Sequence, residues 1–198
     1  MMRRTRLSRS VPAALVAVWL LAPGGSGPAL AGSQGEVSDQ EVKAAMLVQF
    51  ARFVEWPADR QAGGRSGPLV IGVLQADAVG EHLARIVKTR MVSGAPVVVR
   101  PALSAGEATD RVDLLFIGTA GESLIPAVLE SIGRAGVLTV SDAHDFVGRG
   151  GMIGLREDRE RIGFDVNLAS AERAQLRISS KLLSLARTVV RVPGETPP

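Results

Sequence analysis

From residue 38 onward, apolar positions follow two alternating rhythms. Ser38-Asp39-Gln40-Glu41 places a serine N-cap three residues before a glutamate, and Val37 and Val42 stand where a hydrophobic staple forms. The spacing of Val42, Ala45, Met46, Phe50, Phe53 and Val54 predicts a helix with one apolar stripe. Trp56-Pro57 ends it, because proline disfavours helical geometry in the residue before it. Residues 61–68 form a glycine-rich loop without a period. Residues 69–74 are a continuous apolar run, as in a strand buried on both faces. A helix over 79–89 turns Leu83, Ile86 and Val87 inward, and strands follow at 96–99 and 112–117. Residues 122–133 form a helix carrying Leu124, Ile125, Val128, Leu129 and Ile132, and a fourth strand at 137–140 ends on Ser141-Asp142.

The last third changes pattern. Residues 150–155 and 161–166 flank a charged turn at 156–160, and Ile162, Phe164 and Val166 alternate as in a strand with one wet face. This reads as an antiparallel hairpin. Asn167 or Ser170 caps a short helix after it, and Ile178, Leu182, Leu185 and Val189 predict a closing helix over 178–190. Strands alternating with helices define the fold class as α/β: one doubly wound domain, a mostly parallel sheet with helices on both faces and a C-terminal antiparallel hairpin. No internal repeat, low-complexity region or second domain is visible in the pattern.

The residues before this domain have a different character. Arg3, Arg4, Arg6 and Arg9 precede an apolar run from Val11 to Ala22, and Ala29-Leu30-Ala31 is a small-x-small cleavage signal. Residues 1–31 therefore read as a secretory signal peptide, with 32–192 as the domain and 193–198 as a disordered tail. A membrane anchor is the competing reading. The apolar run is well short of the ~20 residues of a spanning helix, and Pro23-Gly24-Gly25 stops it. Arg3-Arg4 leaves twin-arginine export open beside the general secretory route. The expected location is the periplasm.

Removing that leader changes the charge argument. The chain holds 23 Lys and Arg against 20 Asp and Glu, and the leader takes four arginines and no acid with it. No long basic run remains, whereas a nucleic-acid footprint needs clustered positive charge on one face. The sequence has no cysteine, which excludes disulfides, thiolate metal sites and cysteine nucleophiles.

The residues with chemical potential are few. His82 lies on a predicted helix beside Glu81 and reads as a surface residue. Ser141, Asp142, His144 and Asp145 follow directly on a strand, where open α/β sheets place their ligands. Asp142 and His144 are possible metal ligands, but two neighbours do not close a site. The plainer reading is a loop whose serine and aspartate cap the next turn. Gly148-Arg149-Gly150-Gly151 precedes a strand, unlike a dinucleotide fingerprint, whose glycines follow one. No nucleophile, base and acid stand in an interpretable order. The expectation is a non-enzymatic binding protein without cofactor or metal. If a small ligand binds, the C-terminal strand ends are its expected place: Asp77, Gly118, Thr119, Ser141 and Asp142.

Longer stretches carry a family resemblance. Glu41-Val42-Lys43-Ala44-Ala45 and Phe50-Ala51-Arg52-Phe53-Val54-Glu55-Trp56-Pro57 open it. Leu69-Val70-Ile71-Gly72-Val73 and Leu114-Leu115-Phe116-Ile117 continue it. It is densest at Val137-Leu138-Thr139-Val140-Ser141-Asp142, Gly150-Gly151-Met152-Ile153 and Arg161-Ile162-Gly163-Phe164-Asp165-Val166-Asn167-Leu168, and it closes on Leu176-Arg177-Ile178-Ser179-Ser180-Lys181-Leu182-Leu183. In these segments the sequence resembles the YfiR family. The resemblance implies a periplasmic α/β protein, often dimeric, that restrains an inner-membrane diguanylate cyclase or related sensor by binding its periplasmic part. It further implies that an outer-membrane protein can sequester the repressor, so that cyclic-di-GMP synthesis and biofilm formation follow. Relatives can carry cysteine pairs; without cysteine, disulfide control does not transfer. Phe50, Phe53 and Trp56 are expected in the core, so no partner-binding residue carries over. The alternative function is a periplasmic small-molecule sensor using the strand ends.

Overall fold

The computed structural model describes residues 38–57, 67–88, 90–92, 94–102, 104–109, 112–133, 135–158 and 161–191. All of them fall in one compact unit, Val37–Pro198. The expected signal peptide, the staple residue Val37, most of the 61–68 loop, Arg159-Glu160 of the charged turn and the 193–198 tail lie outside the described residues.

Helix α1 is Asp39–Phe53. Its start follows the capping reading, with the Ser38 hydroxyl accepting the Glu41 N–H at 3.3 Å. It ends before Trp56-Pro57, because Val54–Glu55 (β1) pairs antiparallel with Arg177–Ile178 (β9). Its buried face is Ala44, Leu47, Val48, Phe50 and Ala51, and Ala45 of the predicted stripe is exposed. Apolar residues surround this helix, so periodicity alone does not single out a face. Packing selects the side where Ala44 and Ala51 permit close approach. Phe50 is in the core, edge-on to Phe164 with ring centroids 5.1 Å apart.

Eight strands make the main sheet. They are β2 (Leu69–Leu74), β3 (Met91–Val92), β4 (Ala95–Ala102), β5 (Leu114–Ile117), β6 (Leu138–Ser141), β7 (Ile153–Asp158), β8 (Arg161–Asn167) and β10 (Thr188–Val190). Their order is β10-β8-β7-β6-β5-β2-β4-β3. The pairs β7/β8 and β3/β4 are antiparallel and the other neighbours run parallel. This is the expected α/β fold with its C-terminal hairpin.

Strand period explains the two layers. Ile71, Val73, Leu114, Phe116, Leu138 and Val140 join the core under α1 and α2 (Asp77–Val87). Val70, Leu74, Leu115 and Ile117 join a second core under α3 (Ala105–Thr109) and α4 (Ile125–Ile132). Asn167 caps the short helix α5 (Leu168–Arg173), accepting the Ser170 N–H at 2.9 Å.

The closing helix over 178–190 is corrected. Ser179 caps a single turn, α6 (Ser180–Leu183), and Thr188–Val190 adds to the sheet parallel to β8. Leu185, placed inward by the helical reading, is 64% exposed. The spacing of Ile178, Leu182, Leu185 and Val189 fits a helix by itself. However, Thr188, Val189 and Val190 are all β-branched, and the β8 edge beside them is open to a partner strand.

Asp113, only 3% exposed, locks the sheet's starting end. Its N–H donates to the Val70 carbonyl at 2.9 Å, and its carboxylate accepts the Val70 N–H at 2.8 Å. Its own carbonyl accepts the Leu138 N–H at 2.9 Å and Trp56 Nε1–H at 3.2 Å.

Two outcomes test this architecture by urea denaturation. Asp113→Ala strands the buried Val70 N–H and should cost about 1–3 kcal/mol, while Asp113→Asn keeps an acceptor and should cost less. Leu185→Ala should change stability by no more than about 0.5 kcal/mol. A loss of about 2–5 kcal/mol, as for a core leucine, would restore the helical reading.

Candidate functional site

The fold brings four of the five expected strand-end residues together. Gly118 follows β5, and its N–H donates to the Leu74 carbonyl at 2.9 Å. A Cβ there would meet the Gln75 carbonyl oxygen at 2.4 Å, so the close crossing of the β2 and β5 ends requires glycine. Thr119 opens the 3₁₀ turn Thr119–Leu124, which takes up the start of the helix predicted at 122–133. Its hydroxyl donates to Asp142 Oδ1 at 3.0 Å. Ser141 is fully buried; its hydroxyl donates to the Ile117 carbonyl at 2.7 Å and accepts the Ala143 N–H at 3.0 Å.

Asp142 is the centre of this group. Its Oδ2 lies 2.6 Å from Lys43 Nζ, with both side chains 15% exposed. Lys43 reaches it from α1, across 99 residues of sequence. No local signal in the sequence pairs the two. Thr139 was also silent in sequence; its hydroxyl accepts the Met152 N–H at 3.1 Å and ties β6 to the start of the hairpin.

Beside these residues runs a cleft of about 380 Å³ lined in part by Thr119, Asp142, His144, Asp145, Arg156 and Glu157. The loop forming one wall is held from both sides. Arg149 pairs with Glu122 at 2.7 Å, and Asn167 Nδ2–H donates to the Val147 carbonyl at 2.9 Å. Arg156 lies 3.5 Å from Asp165.

Asp77 is elsewhere. It lines a separate groove between α2 and β4 with Glu81, Val73 and Pro101. His82 is half-buried on α2, with its Nδ1 2.9 Å from Arg85 Nη2.

Chemically, the assembled group fixes charge and backbone. The Ser141 hydroxyl is spent on a carbonyl, without a base to activate it. Among the described residues, no group of three or more His, Cys, Asp or Glu is placed to hold a metal ion. The fold and these committed polar groups define a single-domain α/β protein with a mostly parallel sheet.

The sequence matches the YfiR/HmsC-like family over residues 40–187, and the chain belongs to that family. No curated protein matches it. The fold is shared with solved structures, among them these two. One is the ABC domain in complex with L-Trp from Streptococcus pneumonia, with a TM-score of 0.52 and 14% identity, covering 74% of this chain and 60% of that one. The other is a conserved domain protein from Vibrio cholerae, with a TM-score of 0.50 and 15% identity, covering 77% of this chain and 60% of that one. The chain thus spans 60% of the length of each.

The Lys43–Asp142 pair gives the local prediction. Lys43→Met removes the cation from a mostly buried carboxylate and should cost about 2 kcal/mol. Most of that loss should vanish in an Asp142→Asn background. Urea denaturation of the four proteins measures the coupling, and a value under about 0.3 kcal/mol would show that α1 is not anchored through this pair.

Proposed function

We propose that this chain is an exported regulator that binds the periplasmic part of an inner-membrane diguanylate cyclase or related sensor and restrains it. The observation that carries the reading is the family match over residues 40–187, since YfiR-like proteins are regulatory rather than catalytic. The leader pattern of residues 1–31 supports export to the periplasm, with the mature chain starting at Gly32. Among the described residues, no helix is long and apolar enough to cross a membrane.

The mechanism is a population shift. A repressor that binds the inactive cyclase more tightly than the active one moves the equilibrium by its affinity ratio alone. Moving it from 1:99 to 99:1 takes a ratio of about 10⁴, or about 5.5 kcal/mol. Lower cyclase activity means less cyclic-di-GMP and less biofilm. An outer-membrane protein that sequesters the repressor reverses the effect, and a homodimer is the expected state. The Thr119–Asp142 cleft favours a second reading, a small-molecule sensor, because it sets an open concave volume beside fixed polar groups.

Crosslinking capture with the tagged exported protein on native membranes, read by mass spectrometry, tests the proposal. The expected result is a membrane diguanylate cyclase, lost when its periplasmic part is deleted. Recovery of no membrane protein by a folded, exported bait would overturn the regulatory reading. A rise in Tm with a metabolite would then support the sensor.

A further inference from the structure

Asp77, set apart from the other strand-end residues, lies in a different kind of place. It opens α2, and Glu81 follows one turn later. The two form the acidic wall of a groove of about 340 Å³ between α2 and β4, floored by Val73, Val99 and Pro101. Gly80 keeps the helix side thin, since even a Cβ there would touch Val73 at 3.6 Å. Neither carboxylate has an ion-pair or hydrogen-bond partner among the described residues.

The sheet edge along this groove is uncovered. β4 runs from Ala95 to Ala102, but β3 pairs only with Ala95 and Pro96. From Val97 onward, no strand lies against the outer edge among the described residues. The opposite face of this edge presents apolar Val98 and Met91, with the half-buried Arg100 following Val98 on the same face. Val98, at register with Val70 of the second core, is 42% exposed. Met91, opposite Pro96 and so on the same face, is 63% exposed.

We propose that this edge is a strand-addition site for an extended protein segment that alternates basic and apolar residues. An added strand points successive side chains to opposite faces. On the α2 side, a lysine or arginine stem lies on Val99 and Pro101 while its charge meets Asp77 and Glu81. On the other side, apolar residues cover Val98 and Met91. Backbone hydrogen bonds to β4 supply affinity and the groove supplies selection. Pro101 has no N–H, which confines the pairing to Val97–Arg100.

A second copy of this chain fits the edge less well. Two β4 edges paired about a two-fold axis would place both pairs of α2 carboxylates on the same face, one against the other. The occupant is therefore a basic segment of another protein. Its place in the cell as the regulated partner rests on the regulatory reading; the surface itself does not.

The test titrates fluorescein-labelled heptapeptides, one alternating lysine and valine and one with glutamate replacing lysine, into the exported protein. Anisotropy and backbone hydrogen exchange are the readouts. The lysine peptide should bind and slow exchange across Val97–Arg100. The glutamate peptide, or the Asp77→Asn/Glu81→Gln variant, should lower affinity about tenfold or more. Equal affinity of the two peptides, or protection elsewhere, overturns the site. A peptide-free dimer that protects the same β4 amides makes a second copy the occupant and overturns it too. Membrane capture with Asp77→Lys/Glu81→Lys separates the two proposals. Capture retained by this variant removes the surface as the partner's seat and leaves the regulatory reading intact. Capture absent already from the unaltered protein sinks that reading, while the peptides still decide the surface.

Discussion

Three neighbouring strands begin at one aspartate. Asp113 bonds both polar groups of Val70 and receives Leu138 and Trp56 on its own carbonyl. A buried carboxylate is tolerated only when it is hydrogen-bonded, so this one acts as a register pin. Slipping β2 by one residue against β5 would break the bond and turn every apolar side chain to the wrong layer. With the register held, Ile71 and Val73 face one core while Val70 and Leu74 face the other. Trp56 adds the chain leaving α1 to the same junction.

The far ends of the strands inherit that order. Gly118 fits only where β2 and β5 end level, because the Gln75 carbonyl lies in the space its side chain would need. Thr119 and Asp142 are then neighbours, and Lys43 arrives from α1 to neutralise the carboxylate. The polar residues at the strand ends hold the molecule together. Ser141 illustrates this: a fully buried hydroxyl with a carbonyl acceptor and an amide donor has no lone chemistry left to offer. A frame so fixed suits a protein whose surface must be presented in one shape.

How much of this was legible in the sequence depended on whether the cause was local. The Ser38 cap, the Asn167 cap and the buried run of β2 are dictated by neighbouring residues, and the structure shows them where the pattern put them. The wet face expected of β8 is corrected: Phe164, Asp165, Val166 and Asn167 are all buried, because β7 and β10 flank the strand and Asp165 and Asn167 commit their polar groups to Arg156 and the Val147 carbonyl. The buried face of α1 and the fate of 178–190 were not legible. In both, the residues satisfy a helical period, and tertiary packing or an open strand edge decides between alternatives of similar local energy. The strand ends were half legible. Topology predicts that Gly118, Thr119, Ser141 and Asp142 meet, but Lys43 comes from a distant element and has no sequence marker. Asp77 follows its strand like the others, yet it lies on a groove of its own because β2 lies beside β4 and α2 leans toward that edge.

The two margins of the sheet are finished differently, and the difference bears on recognition. At the β10 margin, Arg187 lies across Gly163, where a Cβ would come within 2.8 Å of its Cδ, and pairs with Asp158. That strand is only three residues long, Thr188–Val190, a common way to blunt an edge. At the β4 margin the unpaired length is greater; it carries Arg100 on one face, and on the α2 face Asp77 and Glu81 have no ion-pair partner among the described residues. An exposed edge flanked by carboxylates repels acidic strands and its own copies while remaining open to a basic one. Fixed charge of one sign beside an apolar floor therefore gives selectivity without any moving part. This agrees with a frame whose interior polar groups are already committed to one another.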